Sequence, residues 1–349
     1  MVFLDYASTC PIVKFSSKQY GGFHCNPNAA YAYTERKVLM DCEERIKAAI
    51  GVKSGHVLYF RCATEAIDWL HRATIERAGC IRWRRSPYEH DACQFGCEAK
   101  ANLVTDAIDF YIHQWVNHIT GEIFDLKTIR SQLPETCKLI VDATAGFGKA
   151  KLPSGLDNIA DALFMSGHKI GCPELSFMWL SDTLCEWLGA AKDIRNQWGL
   201  HHGSLSVASV MALTDAVEWA CENGDRVDGH SAGLYVQMSN LLDEACIEHH
   251  DVIEYVIERQ SYTASINAIR LNGINADALQ QFLATRGIYV GIGASACAGA
   301  HDYRVLTDGY GLSKHEASEV IRVSFGDETT EGDIEALVEG IKEYRRQFC

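Results

Sequence analysis

Several side chains capable of chemistry follow short apolar runs of this chain, at points where buried strands would end. Lys169 lies in the segment Ser166-Gly167-His168-Lys169, directly after the apolar run 162–165. Asp142 follows the run 139–141, and His90 follows a short run that ends in proline. A lysine at such a place is either a solvated loop residue or an amine held in a pocket as a nucleophile. A carboxylate and an imidazole at the same sheet edge could bind or move protons.

These groups, in this order along the chain, match what pyridoxal phosphate (PLP) requires of a protein. The amine of Lys169 would form a Schiff base with the aldehyde. Asp142 would keep the ring nitrogen protonated, so that the ring accepts electrons, and an aromatic ring would stack on the pyridine. The phosphate would bind the free N–H groups at the start of a helix predicted at Ala63-Thr64. We therefore expect PLP as the cofactor, although Thr64 alone would be read as a helix cap.

Strand-like and helix-like segments alternate through the first two thirds of the chain. A helix is predicted over 35–50, with Thr34 as its N-cap and Gly51 after its end. Strand-like runs follow at 57–60, 110–112, 139–141 and 163–165. This alternation predicts an α/β domain with a mostly parallel sheet, in which ligands bind beyond the carboxyl ends of the strands.

The pattern changes near residue 225. Helical periodicity over 206–222 is followed by Glu222-Asn223-Gly224-Asp225, which predicts a turn, and a long helix is expected over 228–249. Shorter strands at 268–271, 289–292 and 320–323 and a closing helix over 331–346 predict a smaller α+β domain. We expect a large domain over 14–225 and a small domain that combines 1–13 with 226–349.

Charge and composition exclude some classes of function. The 349 residues include 46 acidic and 32 basic side chains, a net charge of −14. A protein that binds duplex nucleic acid needs a basic face, so we expect no direct nucleic-acid binding. The basic cluster Arg82-Trp83-Arg84-Arg85 is interpreted as a solvated loop or helix end. No run approaches the roughly 20 apolar residues of a membrane span, and the N-terminal segment lacks a signal-peptide pattern, so we expect a cytoplasmic protein.

Fourteen cysteines are scattered without a C-x-x-C pair. In a reducing compartment they are expected to be buried thiols rather than disulfides. Cys93 and Cys97 near His90 offer a weak pattern for zinc, because no second pair follows at finger-like spacing. We expect no metal site.

The sequence resembles the class V aminotransferase-like PLP enzymes, specifically the cysteine desulfurases, over nearly its whole length. Nine segments match family motifs in the family's order: 3–9, 26–28, 63–66, 89–90, 142–143, 166–169, 203–204, 294–297 and 322–331. The resemblance implies the PLP-dependent transferase fold type I, with a mostly parallel seven-stranded sheet in the large domain and a smaller α+β domain.

The resemblance also implies roles for individual residues. Lys169, Cys297 and His90 are the implied catalytic residues, and Arg322 and Asn26 are the implied substrate-binding residues. Ser204 would reach the phosphate of a neighbouring subunit, which implies a homodimer. The implied cofactor-binding residues are Ala63, Thr64, His90, His118, Asp142, Ser166, His168, Lys169 and Ser204.

Cys297 corresponds to the cysteine that accepts sulfur in that family. Its surroundings, the Gly- and Ala-rich segment 291–299, contain little to bury. A nucleophilic thiol needs exposure and mobility more than packing, so we interpret Cys297 as a nucleophile. The alternative is that it is one buried thiol among fourteen.

The segments that depart from the family pattern cluster around the expected cofactor. Ala145 stands where the family carries a glutamine that donates to the cofactor's phenolic oxygen. His118 replaces the second asparagine of the family's VNNEIG segment, and an imidazole could donate to the same oxygen. Tyr6, Tyr31 and the pair Arg61-Cys62 are further departures, as is His201-His202, where the family usually has an arginine.

The favoured hypothesis is therefore a PLP-dependent cysteine desulfurase, which converts L-cysteine to L-alanine and leaves a persulfide on Cys297 for a sulfur-acceptor protein. Ala145 and His118 motivate an alternative: an aminotransferase, lyase or decarboxylase of the same fold, acting on another amino acid or amino-acid-modified substrate. A non-catalytic scaffold that has lost PLP is disfavoured, because Lys169, Asp142 and Arg322 are all present.

Overall fold

The computed structural model describes residues 1–23, 25–78, 81–93, 98–99, 109–249, 253–256, 261–294 and 302–348. Two β-sheets carry the architecture. The strands are β1 (Val2–Leu4), β2 (His56–Phe60), β3 (Trp83–Arg85), β4 (Glu98–Ala99), β5 (Phe110–Gln114), β6 (Lys138–Asp142), β7 (Ala162–Ser166), β8 (Ser176–Leu180), β9 (Ile253–Tyr255), β10 (Ile266–Leu271), β11 (Ile288–Ile292) and β12 (Val320–Ser324). The α-helices are α1 (Tyr33–Ile50), α2 (Ala63–Ala78), α3 (Leu126–Gln132), α4 (Asp182–Leu188), α5 (Val207–His249), α6 (Ala276–Ala284), α7 (Lys314–Ala317) and α8 (Glu331–Phe348).

The larger sheet has seven strands in the order β2-β8-β7-β6-β5-β3-β4. Neighbours from β7 to β4 run parallel, whereas β8 is antiparallel to both β7 and β2. Every residue of β5, β6 and β7 except Lys138 is buried, as expected for parallel strands covered on both faces. The predicted α/β class with a mostly parallel seven-stranded sheet is confirmed.

Helices cover both faces of this sheet. On one face, α1 and α5 pack through an apolar cluster that includes Leu39, Ile46 and Leu213. On the other face, α2 and α4 pack through a second cluster that includes Leu70 and Leu184. The carboxyl ends of β5, β6 and β7 are thereby held at a common edge, which is where the sequence places its polar side chains.

The smaller sheet has five strands in the order β1-β11-β12-β10-β9. β1 pairs parallel with β11, and the other pairs are antiparallel. Its core contains residues of α6, α8 and the C-terminal half of α5. The N-terminal strand β1 therefore joins the C-terminal strands in one sheet. The division into two domains at residue 225 stays a proposal.

The predicted turn at 222–225 is wrong, because α5 runs without interruption through it. Gly224 is required by packing rather than by a turn: a Cβ there would lie 3.0 Å from the carbonyl oxygen of Ala150. On either side of it, Ala220 and Val227 are buried and keep the apolar face of the helix in register. Glycine at a close backbone approach and glycine at a turn look alike in a sequence.

Two local predictions in the N-terminal half need correction. Thr34 is not the N-cap of α1, since the helix begins at Tyr33 and its cap residue Ala32 makes no side-chain bond. The guanidinium of Arg36 instead donates to the carbonyl oxygens of Pro27 and Ala29 in the preceding turn. Gly51 ends the helix with φ 75°, as predicted.

The basic cluster 82–85 is not a loop or helix end. Its last three residues form β3, where Trp83 and Arg85 are buried and the Trp83 ring stacks on Phe110 with centroids 4.7 Å apart. The strand was missed because a three-residue strand is too short to show periodicity. Among the described residues, no helix combines the length and apolar character that crossing a membrane would need.

A single turn of 3₁₀ helix over Gly167–Ile170 follows β7 and carries Lys169. Gly167 starts this turn in a space that admits no side chain. A Cβ there would lie 2.1 Å from the carbonyl oxygen of Leu175 and 2.4 Å from that of Cys172. Backbone atoms cannot move aside as a flexible side chain can, so the position of Lys169 depends on this glycine.

We expect Gly167→Ala to lower the free energy of unfolding by about 3 kcal/mol, because the methyl group overpacks against backbone. Gly229→Ala is the matched control, since a Cβ on this exposed position of α5 meets nothing within 4 Å. That change should raise the free energy by about 0.5–1 kcal/mol. Urea unfolding followed by circular dichroism measures both, and equal effects of the two substitutions would contradict the steric account.

Candidate active site

A cavity of about 390 Å³ opens where the carboxyl edge of the larger sheet meets the smaller sheet. The larger sheet contributes residues at the ends of β5, β6 and β7, and α2 contributes its N-terminus. The smaller sheet contributes residues of β11 and β12. Of the residues predicted from sequence, those that line the cavity are Ala63, Thr64, His90, His118, Asp142, Ser166, His168, Lys169 and Arg322. Their functional roles stay predictions.

Two predicted site residues are not part of this lining. Asn26 and Ser204 are exposed, and within the described part of the single chain neither borders the cavity. The oxygen Oδ1 of Asn26 instead accepts from the N–H of Asn28 at 2.9 Å. Cys297 lies outside the described residues.

Lys169 is held with its amine in the cavity wall. Its Nζ donates to the carbonyl oxygen of Ala7, in the segment that follows β1. Burial, together with the positive charges of Arg322 and Lys149, lowers the pKa of Lys169 to about 7. A substantial fraction of this amine is therefore neutral at physiological pH, which is the form in which an amine acts as a nucleophile.

Asp142 is the last residue of β6 and is buried. The backbone N–H of Thr144 donates to its Oδ1 at 2.8 Å. Burial raises the pKa of Asp142, against the opposing effects of Thr144, His90 and Lys169. A cationic group placed beside this carboxylate would gain a partner that is shielded from water.

Two imidazoles, those of His90 and His118, lie next to each other in the cavity lining. The rings of His90 and His118 are 5.0 Å apart with an interplanar angle of 65°. Burial lowers the pKa of both, and that of His118 falls well below the ordinary value. The Nδ1 of His90 accepts from the N–H of Ala92 at 3.1 Å, so neutral His90 carries its proton on Nε2.

A hydroxyl cluster lies around Ser166 and His168 in the cavity lining, and its member Ser176 pairs with Phe60, just before α2. The Oγ of Ser166 is 2.8 Å from Nδ1 of His168 and 3.2 Å from Oγ of Ser176. Ala63 and Thr64 begin α2, a helix of 16 residues whose first backbone N–H groups have no partner within the helix. This combination suits an anionic group such as a phosphate.

Arg322 reaches into the cavity from β12 and is buried. Its Nη2 donates to Oδ1 of Asp5 at 2.7 Å and to Oγ of Ser8 at 2.6 Å, and its Nη1 donates to the carbonyl oxygen of His118 at 3.0 Å. The Nε of Arg322 is buried without a hydrogen-bond partner among the described residues. That donor is available to an acidic group in the cavity.

Sequence reasoning missed some residues of the lining. Asp5 and Ser8 were part of a matched segment but received no role. Gln114 ends β5 and lines the cavity, and the same strand-end argument that identified Asp142 would have found it. Lys149 is not part of the lining, but its positive charge lowers the pKa of Lys169, and it received no role from sequence reasoning.

Of the weak zinc pattern, Cys93 belongs to a cluster of potential ligand atoms among the described residues. Glu89, Cys93 and Asp142 have potential ligand atoms within 4.8 Å of one another, and Cys97 lies outside the described part of the chain. Burial raises the pKa of the Cys93 thiol well above its ordinary value. A thiol must lose its proton to bind a metal, so a metal at this cluster would have to displace the proton of Cys93.

The residues present fit PLP. The volume is in the range of small-molecule sites. The cavity offers a partly neutral lysine amine, a buried carboxylate and a helix N-terminus, and it holds unpartnered buried nitrogens at His118 Nε2 and Arg322 Nε. Buried polar atoms normally have partners, so these two indicate a polar ligand.

The reactivity of Lys169 should reveal its environment in the cofactor-free protein. Since only the neutral amine reacts with an acylating reagent, labelling of Lys169 should rise with a midpoint near pH 7. Lys149→Met removes a neighbouring positive charge and should move this midpoint to higher pH. Lys53→Met, on an exposed turn, is the control that should leave it unchanged. Mass spectrometry of the Lys169 peptide measures the labelling, and a midpoint near about 10, that of an ordinary lysine, would contradict the prediction.

Known proteins share this architecture. A solved structure of a NifS-like protein superposes with a TM-score of 0.82 at 18% identity, over 99% of this chain and 100% of that one. A NifS-like protein from Rickettsia africae superposes with a TM-score of 0.78 at 17% identity, over 99% of both chains. These likenesses confirm the predicted fold, the PLP-dependent transferase fold type I.

Sequence comparison agrees with the fold. A putative cysteine desulfurase NifS from Halalkalibacterium halodurans is 22% identical, over 98% of both chains. The family model described as aminotransferase class-V matches residues 89–337, which is well over half of the chain. The protein therefore belongs to the class-V aminotransferase family.

Proposed function

We propose that this protein is a PLP-dependent cysteine desulfurase, which converts L-cysteine to L-alanine and transfers the sulfur to Cys297. The observation that carries the proposal is the convergence in one cavity of Lys169, Asp142, Arg322 and the N-terminus of α2. An amine, a carboxylate, a guanidinium and an anion site are the groups that PLP and an amino-acid substrate would engage. Relatives named as cysteine desulfurases support the choice of reaction.

When bound, PLP supplies an electron sink for bonds at the substrate's α-carbon. Lys169 would hold the cofactor and, once free, its amine would carry protons to and from the α-carbon. Asp142 would keep a negative charge beside the ring nitrogen. Arg322 would bind the substrate carboxylate, and its pairing with Asp5 would keep the guanidinium oriented before substrate arrives.

Sulfur transfer requires a thiolate close to the substrate. The thiolate of Cys297 would attack the substrate sulfur, forming an S–S bond as the C–S bond breaks, and protonation of the carbon would give alanine. Cys297 is three residues along the chain from Ala294, which lines the cavity. The chain length therefore permits its thiol to reach the cavity. His90, neutral and protonated on Nε2, could provide a proton at this stage.

The test is incubation of the PLP-loaded enzyme with a panel of amino acids, including L-cysteine with a thiol reductant. We expect a visible band from bound PLP, a spectral change with L-cysteine, and equal amounts of alanine and sulfide. Lys169→Ala should abolish the visible band. Cys297→Ala should keep the band and the spectral change but lose sulfide release, because only the sulfur acceptor is removed.

Other outcomes would support a different function. Turnover of another amine without sulfide would favour an aminotransferase, lyase or decarboxylase. Ala145 favours this second candidate, because it lines the cavity with a methyl group where the family carries a glutamine. Failure of the wild-type protein to acquire the band would favour a non-catalytic scaffold. A cytoplasmic location and a sulfur-acceptor protein as partner remain part of the proposal.

The proposal includes a homodimer in which Ser204 completes the partner's phosphate site. Ser204 is exposed in the single chain, as such a role requires. We expect sedimentation to give a two-chain species, and Ser204→Val to weaken PLP binding about five-fold through loss of one hydrogen bond while the dimer persists. A monomer that binds PLP with the same affinity with and without Ser204 would contradict this arrangement.

A further inference from the structure

The side-chain amide of Gln114 has one possible orientation. Gln114 is 1% exposed at the end of β5. One end of the amide lies 2.9 Å from the carbonyl oxygen of Tyr88, and the other lies 3.1 Å from the backbone N–H of His118. A carbonyl oxygen only accepts and a backbone N–H only donates. Nε2 of Gln114 must therefore face Tyr88, and Oε1 must face the backbone of His118.

This orientation determines which nitrogen of His118 carries the proton. The Nδ1 of His118 lies 2.9 Å from Nε2 of Gln114, which is a donor only. Nδ1 must then accept, and the proton of the neutral ring belongs on Nε2. Nδ1 is also 3.2 Å from Oε1 of Gln114. In the other tautomer, the proton on Nδ1 would point toward Oε1 of Gln114. It would then lie close to the amide hydrogens on Nε2, which is the nearer of the two amide atoms, so this tautomer is disfavoured.

The surroundings of His118 keep its ring neutral. His118 is 8% exposed, and burial is the largest cause that lowers its pKa. His90 faces the ring, and Arg322 and Lys169 add positive charge on the same side. A second proton on the imidazole would be repelled by the positive charges of Arg322 and Lys169.

The remaining nitrogen of His118 is a donor without a partner. Nε2 is buried, and no described residue accepts a hydrogen bond from it. His118 itself belongs to the cavity lining, as does Ala145, whose side chain offers no donor. An unpartnered buried N–H is costly, so this one has a role when the cavity is filled.

We propose that Gln114 is a positioning residue that holds His118 as the Nε2–H tautomer, so that His118 donates a hydrogen bond to the phenolic oxygen of bound PLP. The identity of the acceptor rests on the proposed function, whereas the tautomer is a property of the chain alone. The imidazole of His118 thus takes the place of the amide that is absent at position 145. The amide of Gln114, on the other side of the imidazole ring, determines which of its nitrogens is the donor.

The tautomer can be measured directly in the full-length protein without cofactor. Long-range proton–nitrogen correlation spectra of the protein labelled with ¹⁵N-histidine distinguish the two tautomers and the imidazolium, and His118→Asn assigns the signal. We expect Nε2 to be protonated and Nδ1 unprotonated at neutral pH. A proton on Nδ1, or a doubly protonated ring, would overturn the proposal whatever reaction the enzyme catalyses.

Gln114→Met keeps the length of the side chain but removes the donor to Nδ1. We expect a mixture of tautomers at His118 and about five-fold weaker PLP binding, equivalent to one hydrogen bond. The pH midpoint of the visible band should shift as well, since a donor to the phenolic oxygen influences its protonation. Gln280→Met is the matched control, because the amide of Gln280 also lies in the lining but donates to the carbonyl oxygen of Val290. It should leave the His118 spectrum unchanged.

Gln114→Met in a His118→Asn background shows whether Gln114 acts by positioning His118 or only supports the local structure. Asparagine has no tautomers, so Gln114→Met should then cause no further loss of PLP affinity. An equal loss in both backgrounds would mean that Gln114 only supports the loop at Tyr88, and would overturn the proposal. If wild-type protein shows the expected tautomer but binds no PLP, the proposed function fails, and the cofactor part of this inference fails with it.

Discussion

The geometry of the cavity depends on the guanidinium of Arg322. It extends from the smaller sheet and bonds to the N-terminal segment at Asp5 and Ser8 and to the backbone of His118, which belongs to the larger half. Ala7, within that same N-terminal segment, accepts from the amine of Lys169. One buried cation thus connects the parts of the chain that form the two sides of the cavity. Loss of Asp5 would leave this guanidinium without its charged partner, since its other acceptors, Ser8 and the carbonyl oxygen of His118, are neutral.

Burial and neighbouring positive charges lower the pKa values of the basic groups in and next to the cavity. Lys169, Lys149 and Arg322 lie close enough to influence one another, with Asp5 and Asp142 as the nearby acids. Desolvation and mutual repulsion lower the pKa of Lys149 to about 8 and that of Lys169 to about 7. Both histidines of the wall are neutral for the same reason. The protein therefore holds nucleophilic amines and directional N–H donors where water would favour cations.

Much of the site could be predicted because polar residues at the ends of apolar strands are visible in a linear sequence. Asp142 after β6 and Lys169 after β7 were found in this way, and the parallel arrangement of these strands brings them to one edge. Gln114 follows the same rule at β5 but was overlooked, because an amide has no titration or nucleophilicity of its own. The pairing of Arg322 with Asp5 spans most of the chain, and no local pattern indicates a contact between residues so far apart.

By itself, the sequence determined the α/β class of the larger half, several of its strands and helices, and many of the groups that line the cavity. The strands, Asp142 and Lys169 follow from periodicity and residue chemistry, which are local properties, whereas the roles of Arg322 and His118 were implied by the resemblance to a family. Only the tertiary structure decided that α5 is one continuous helix, that Lys169 is surrounded by positive charge, and that Gln114 selects the protonated nitrogen of His118. Each of those depends on distances between segments remote in the chain, and electrostatic and hydrogen-bond energies depend on distance, direction and burial rather than on sequence order.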